Sequence, residues 1–173
     1  MTTEHLGRAD LFVVGAVGRP GRRAFYMEVQ AGRRTVVMAC EKEQVAALCS
    51  QGLRLLSTIE LDIDEAATEL LVAAMIDRKP SGEPDFRIGA IGIGVDHEGE
   101  VAISLQEVPS EEEEAEEVLP GGVDFVLGPT MFRAMALVGL RVVASGRSIC
   151  PHCGLPMDPD GHACPAGNGH FPK

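Results

Sequence analysis

Leu11-Phe-Val-Val-Gly-Ala-Val17, Arg23-Ala-Phe-Tyr-Met-Glu-Val29 and Arg34-Thr-Val-Val-Met-Ala-Cys40 are three short runs rich in Val and Phe. Gly18-Arg19-Pro20-Gly21 separates the first pair, and Ala31-Gly32 falls between the second and third. Runs of this length and composition, punctuated by Gly and Pro, read as strands. Connections this short force neighbours to lie antiparallel, so the stretch is a three-stranded meander. Its two turns lie at opposite ends of the middle strand. Arg19, Arg22 and Arg23 are therefore separated from Arg33 and Arg34, and no single basic patch is required.

Helical spacing follows at once. Val45, Leu48, Cys49, Leu53 and Leu56 share one face of a helix over residues 41–56, with Glu41 and Glu43 where the helix dipole favours acids. Asp64 can cap a second helix reaching Asp77, with Ala67, Leu70, Leu71 and Met75 on its apolar face. A loop, Lys79-Pro80-Ser81-Gly82-Glu83-Pro84, ends it. Residues 87–95 and 101–108 form a hairpin around Asp96-His97-Glu98-Gly99. In its first strand Ile91, Ile93 and Val95 take one face, and Gly92 and Gly94 leave the other bare for close approach.

Pro109 to Glu117 is a charged linker. Residues 123–127 make a last strand, and Thr130 can cap a helix over 131–144. That helix is apolar almost all round, which places it in the core or in a contact between copies of the chain. The order βββ-αα-ββ-βα lacks βαβ alternation and points to an α+β fold with an antiparallel sheet and helices packed on it. The organisation is an α+β domain over 1–146, with an acidic linker near 109–120, and a tail over 147–173.

Composition narrows the function. Of 173 residues, 45% are hydrophobic but only 4% aromatic, so the core rests on aliphatic side chains and base-stacking platforms are not expected. A net charge of −11 disfavours phosphate-backbone binding. Charge is uneven: six Arg face two acids between Arg8 and Arg34, while nineteen acids face three cations between Glu60 and Asp124. No apolar run follows Met1–Asp10 and no stretch is long enough to span a bilayer, so neither a signal peptide nor a membrane anchor is expected. Five Cys, an odd count, suit a reducing cytoplasm with a metal site better than disulfides.

Three of those Cys fall in the tail. Cys150-Pro-His-Cys153-Gly is a knuckle whose two thiolates can reach one ion, with Gly154 relieving the turn. Eight residues later, His162-Ala-Cys164 adds an imidazole and a third thiolate. Cys150, Cys153, His162 and Cys164 are the expected ligands of a structural Zn2+, with His170 the alternative fourth ligand. Four soft ligands leave no position for a reactive water. No βαβ pattern surrounds the CxxC, so redox chemistry is not indicated.

The tail, from Cys150-Pro-His-Cys153-Gly-Leu-Pro-Met-Asp-Pro-Asp-Gly-His162-Ala-Cys164 onward, resembles an uncharacterised actinobacterial family closing in CPxCGxPxDPxGHxCPxxNG. The early Val-Gly-Arg-Pro-Gly-Arg-Arg-Ala-Phe-Tyr-Met run is similar to the same family's N-terminal half. The resemblance carries the ligand role to Cys150, Cys153, His162 and Cys164. It also implies a pathway shared with lipid-kinase-like and phosphoglycerate-mutase-like neighbours. Ala166 stands where the pattern has Arg, and His170 where it has an aromatic, so the choice between His162 and His170 stays open.

Other candidates have simpler readings. His97 with Asp96 and Glu98 sits on a polar hairpin tip. Ile-Gly-Ile-Gly around Gly92 leads into a hairpin instead of a helix and lacks phosphate-loop geometry. Cys40 lies in an apolar run unsuited to a reactive thiolate. Arg19, Arg22 and Arg23 could grip a phosphorylated metabolite. The expected function is a cytoplasmic, non-enzymatic binding or adaptor protein working through protein contacts. A small enzyme or ligand-binding protein for a phosphorylated metabolite is the alternative. Nucleic-acid binding through a charge-balanced tail is the third reading.

Overall fold

The computed structural model describes residues 2–109, 120–146, 149–155, 157, 161, 162, 164 and 165. The expected acidic linker, apart from its ends, lies outside these residues, as do His170 and residues 156 and 158–160 between the two ligand pairs.

The meander forms as its turns dictate: β2 (Leu11–Arg19), β3 (Arg22–Ala31) and β4 (Arg34–Cys40), each antiparallel to the next. The hairpin is β5 (Phe86–Val95) with β6 (Val101–Glu107), and β7 (Gly122–Leu127) pairs with β6. The periodicity did not mark β1 (Thr3–Arg8), which pairs parallel with β7. Its six residues alternate no apolar set; only Leu6 packs against the core. A second parallel pair, Met38 with Phe86 and Ala39 with Arg87, joins β4 to β5. The fold is α+β, with a mixed seven-stranded sheet ordered β1-β7-β6-β5-β4-β3-β2.

That order places β1 and β2 at opposite edges although only Ala9 and Asp10 separate them. A flat sheet of this width would set its edges roughly 29 Å apart at about 4.8 Å per strand. The link from Arg8 to Leu11 can span at most about 11 Å. The sheet must therefore curl until its edges meet. At the meeting point consecutive amides turn opposite ways: Ala9 N–H donates to the Val126 carbonyl (2.8 Å) and Asp10 N–H to the Gln30 carbonyl (2.7 Å). Phe12 of β2 and Phe125 of β7 then meet inside the curl, ring centroids 5.0 Å apart and edge to face.

Three helices among the described residues close the interior. In α1 (Lys42–Ser57), Val45, Leu48, Cys49 and Leu56 are buried as the spacing required, and Gln44 reaches back to the Glu41 N–H (2.8 Å). In α2 (Glu65–Met75), Asp64 caps by accepting from the Ala67 N–H (2.9 Å). Its buried face is Thr68, Val72 and Met75, one step round from the expected stripe, and Leu70 is 74% exposed. The third helix, α3 (Pro129–Ala144), is the apolar one and packs on α1, α2 and β2. Its N-cap is Gly128 instead of Thr130, because Pro129 already suits the first helical position. Thr130 Oγ1 instead accepts from the Asp64 N–H (3.1 Å), tying the starts of α2 and α3 together.

Where α1 crosses α3, two glycines make room. A Cβ on Gly139 would collide with Cys49 Sγ, and one on Gly52 with the Phe132 ring. Each helix thus seats a side chain of the other over a bare backbone position.

Candidate metal centre

After α3 the chain reaches a tight knuckle. Cys150 N–H donates to the Leu155 carbonyl (2.8 Å), and Gly154 N–H returns to the Cys150 carbonyl (2.9 Å). Gly154 sits at φ 72°, in the left-handed region that glycine enters without steric cost, which lets the chain turn after Cys153. Gly161, at φ 95°, is likewise in the left-handed region, just before His162.

The result is a compact cluster: one ligand atom each from Cys150, Cys153, His162 and Cys164 lies within 4.8 Å of all the others. Cys150 Sγ is 3.8 Å from Cys164 Sγ, far beyond a disulfide bond length, and Cys153 Sγ is 3.3 Å from His162 Nε2. Cys150 and Cys164 are buried, while Cys153 and His162 are half-buried. Burial pushes the Cys150 thiol up, but the amides of Cys153 and His152 and the thiols of Cys153 and Cys164 outweigh it, and its pKa is lowered. Stabilising a thiolate is what a metal site requires. These four residues could hold a metal ion.

The remaining cysteines behave differently. Cys40 and Cys49 are buried in the core, and burial pushes each thiol up to about 12. The expectation of an inert Cys40 agrees with that surrounding.

Arg19 and Arg22 are exposed. Arg23 donates to the Val142 carbonyl (3.3 Å) and Ser145 Oγ (3.0 Å), fastening the end of α3 to the β2–β3 hairpin. A cavity of about 190 Å³ lies beside it, with Lys42 on its wall, and His97 is not among its lining residues. His97 itself is exposed on the β5–β6 tip, where Asp96 Oδ1 accepts from the amides of Glu98 (2.8 Å) and Glu100 (2.9 Å).

Two polar pairings escape sequence reading because their members are far apart in the chain. Glu28, 0% exposed, accepts from Ser81 N–H (2.7 Å), Ser81 Oγ (2.9 Å) and Gln30 Nε2 (2.8 Å), and faces Arg78 at 3.5 Å. It pins the 77–85 loop onto β3, beside Tyr26, whose hydroxyl donates to the Arg78 carbonyl. The second pairing is His5 with Asp124, across β1 and β7. Neither has a signal in local spacing.

No helix among the described residues is long and apolar enough to cross a membrane. No curated protein and no solved structure matches the chain. Residues 5–164, which take in the sheet except the first two residues of β1, the three helices described above and the four cluster residues, match the model of a family described as a protein of unknown function, DUF3090. The chain therefore belongs to the DUF3090 family.

Proposed function

We propose that the protein is a cytoplasmic, non-enzymatic binding or adaptor protein, whose C-terminal Cys3His set holds a structural zinc ion and presents a rigid surface to a protein partner. The observation that carries the reading is the closeness of three thiols and one imidazole. Zinc bound at about 2.3 Å to sulfur and 2.0–2.1 Å to nitrogen gives tetrahedral edges of roughly 3.8 Å (S–S) and 3.6 Å (S–N). The pairs here stand at 3.8 Å and 3.3 Å. Four protein ligands complete the sphere and leave no open position for catalysis. Zinc thiolates and two further buried thiols suit a reducing compartment.

The surface argument lies in the knuckle itself. Ile149 and Leu155 bracket it at 61% and 51% exposure, drawn together by the Cys150–Leu155 hydrogen bond. Metal binding would fix these two apolar side chains relative to one another, which lowers the ordering cost of docking. The alternative, a phosphorylated metabolite on Arg19, Arg22 and Arg23, has less support, since Arg23 is spent on α3 and the other two stand in solvent.

Metal analysis of protein purified without added metal tests the first half, with about one zinc per chain expected and Cys153→Ser lowering it. For the second half, a photo-crosslinker is placed at Leu155 in cells. A defined adduct should form with the wild-type tail and disappear with Cys153→Ser or Ile149→Asp. A substoichiometric metal content, or adducts indifferent to both substitutions, would sink the proposal.

A further inference from the structure

Bare residues on neighbouring strands line up across the outer face of the sheet. Gly92 of β5, Ser104 of β6, Asp124 of β7 and His5 of β1 are successive register partners. Gly94 and Ala102 form the adjoining row. Because these side chains are absent or short, the face forms an open, shallow recess of about 480 Å³. That volume lies within the range of small-molecule sites, which are mostly apolar with few polar groups.

The polar group is a dyad. His5 Nδ1 lies 3.3 Å from Asp124 Oδ2, and the His5 ring is 79% exposed while the carboxylate is 35% exposed. The carboxylate lies on the Nδ1 side of the ring, so Nε2 is the nitrogen away from it. Asp124 Oδ1 is enclosed and has no hydrogen-bond partner among the described residues, and Oδ2 is the oxygen that meets His5. A break in the β1–β7 register, between His5 and Gly7, directly follows the histidine, and bulges of this kind re-aim side chains beside sites. Among the described residues nothing lies within 4 Å of where a Gly94 Cβ would stand, so no described neighbour packs into that space.

We infer that this recess is a binding site for a flat heteroaromatic molecule, neutral or cationic, that lies on the Gly92–Gly94–Ala102 floor with an N–H toward the His5–Asp124 pair. Flatness follows from a recess only one side chain deep, floored by backbone. The donor follows from the Asp124 carboxylate, an acceptor at the rim. Charge follows from the carboxylate at the rim and a net −11 on the chain, both of which repel anions. The site is independent of the metal cluster.

The test uses the full, metal-loaded chain and 2-aminobenzimidazole as probe, followed through the histidine side-chain nitrogen resonances. The expected result is a saturable shift of the His5 ring nitrogens with a Kd on the order of a millimolar, as suits roughly ten heavy atoms. Gly94→Leu should fill the floor and weaken binding at least tenfold, and His5→Phe should weaken it about fivefold. Ala102→Leu provides the same filling from β6 should Gly94→Leu fail to give a folded amide spectrum. 2-Naphthoate, equally flat but anionic and without the donor, should not bind. The inference is overturned by unmoved His5 resonances at ~10 mM probe, well above the millimolar Kd that its size allows. Wild-type affinity in folded filled variants, or equal binding of naphthoate, would overturn it as well.

Discussion

Replacing Gly139 with alanine sets two effects of opposite sign against each other. In a helix interior, alanine is favoured over glycine by about 1 kcal/mol. The added methyl, however, would enter the space of Cys49 Sγ and come within 3.4 Å of Val45 Cγ1. Cys49 is 0% exposed, and its sulfur hangs two bonds from the α1 backbone, so it can escape only by a rotamer change into packed core or by parting the helices. Overpacking of this kind costs typically about 1–3 kcal/mol and occasionally more. A full collision belongs at the upper end, which leaves a net destabilisation of about 1–2 kcal/mol.

Removing the sulfur supplies the control. In a Cys49→Ala background the same methyl has somewhere to go, so the double variant should be more stable than the two single effects predict, by about 1–2 kcal/mol of coupling. Urea unfolding followed by far-ultraviolet circular dichroism gives the four midpoints, with a constant m-value showing that only stability has changed. A Gly139→Ala protein more stable than wild type would refute the account of this crossing. So would additivity within about 0.5 kcal/mol.

Tyr26 is the one tyrosine, and Trp is absent, so ultraviolet titration reads it alone. Burial, and next the negative charge of Glu28, push its hydroxyl up to about 12 despite the opposing Arg78. The folded midpoint should thus lie near 12 and fall toward 10 in denaturant. The sign follows: the unfolded chain loses its proton first, so this stabilising contribution is intact below pH 10 and fades as pH rises through 12. Cys40 and Cys49 should resist a thiol reagent at pH 8 in the native protein and react on unfolding, since both are buried and held as thiols; rapid native labelling of either would contradict their placement. Asp64→Ala removes the acceptor for the Ala67 N–H and should cost about 0.5–2 kcal/mol in thermal or urea unfolding, while Asp64→Asn should recover most of it.

Much of this architecture is legible in the sequence because it is local. The turns at Pro20-Gly21 and Gly32 leave the meander no other pairing, and Val45, Leu48, Cys49 and Leu56 repeat at the helical period and are buried. The four cluster residues are legible for the same reason, since their spacing is itself the signal, and they are brought together. What is hidden is non-local. Nothing in Thr-Glu-His-Leu-Gly-Arg marks a strand, because β1 is created by the edge of β7. Leu70 belongs to the apolar stripe by period but faces solvent, because α2 meets α3 through Thr68, Val72 and Met75. Thr130 looked like a cap, yet Pro129 moved the helix start back and released its hydroxyl to Asp64.

The junction at Ala9 and Asp10 bears on how the protein survives handling. Strand edges invite foreign strands, and open sheets guard them with charge, proline or bulges. Here β1 shields the outer side of β7, and the next few residues lead directly into β2 on the far side. A protease cut that released residues 3–8 would therefore bare the β7 backbone over Gly122–Leu127, a short Val- and Phe-containing segment, to any passing chain. The first strand is poor in apolar side chains and makes little core, so what its release should chiefly change is the exposure of this edge. Its loss should be felt first as precipitation and only afterwards as reduced stability.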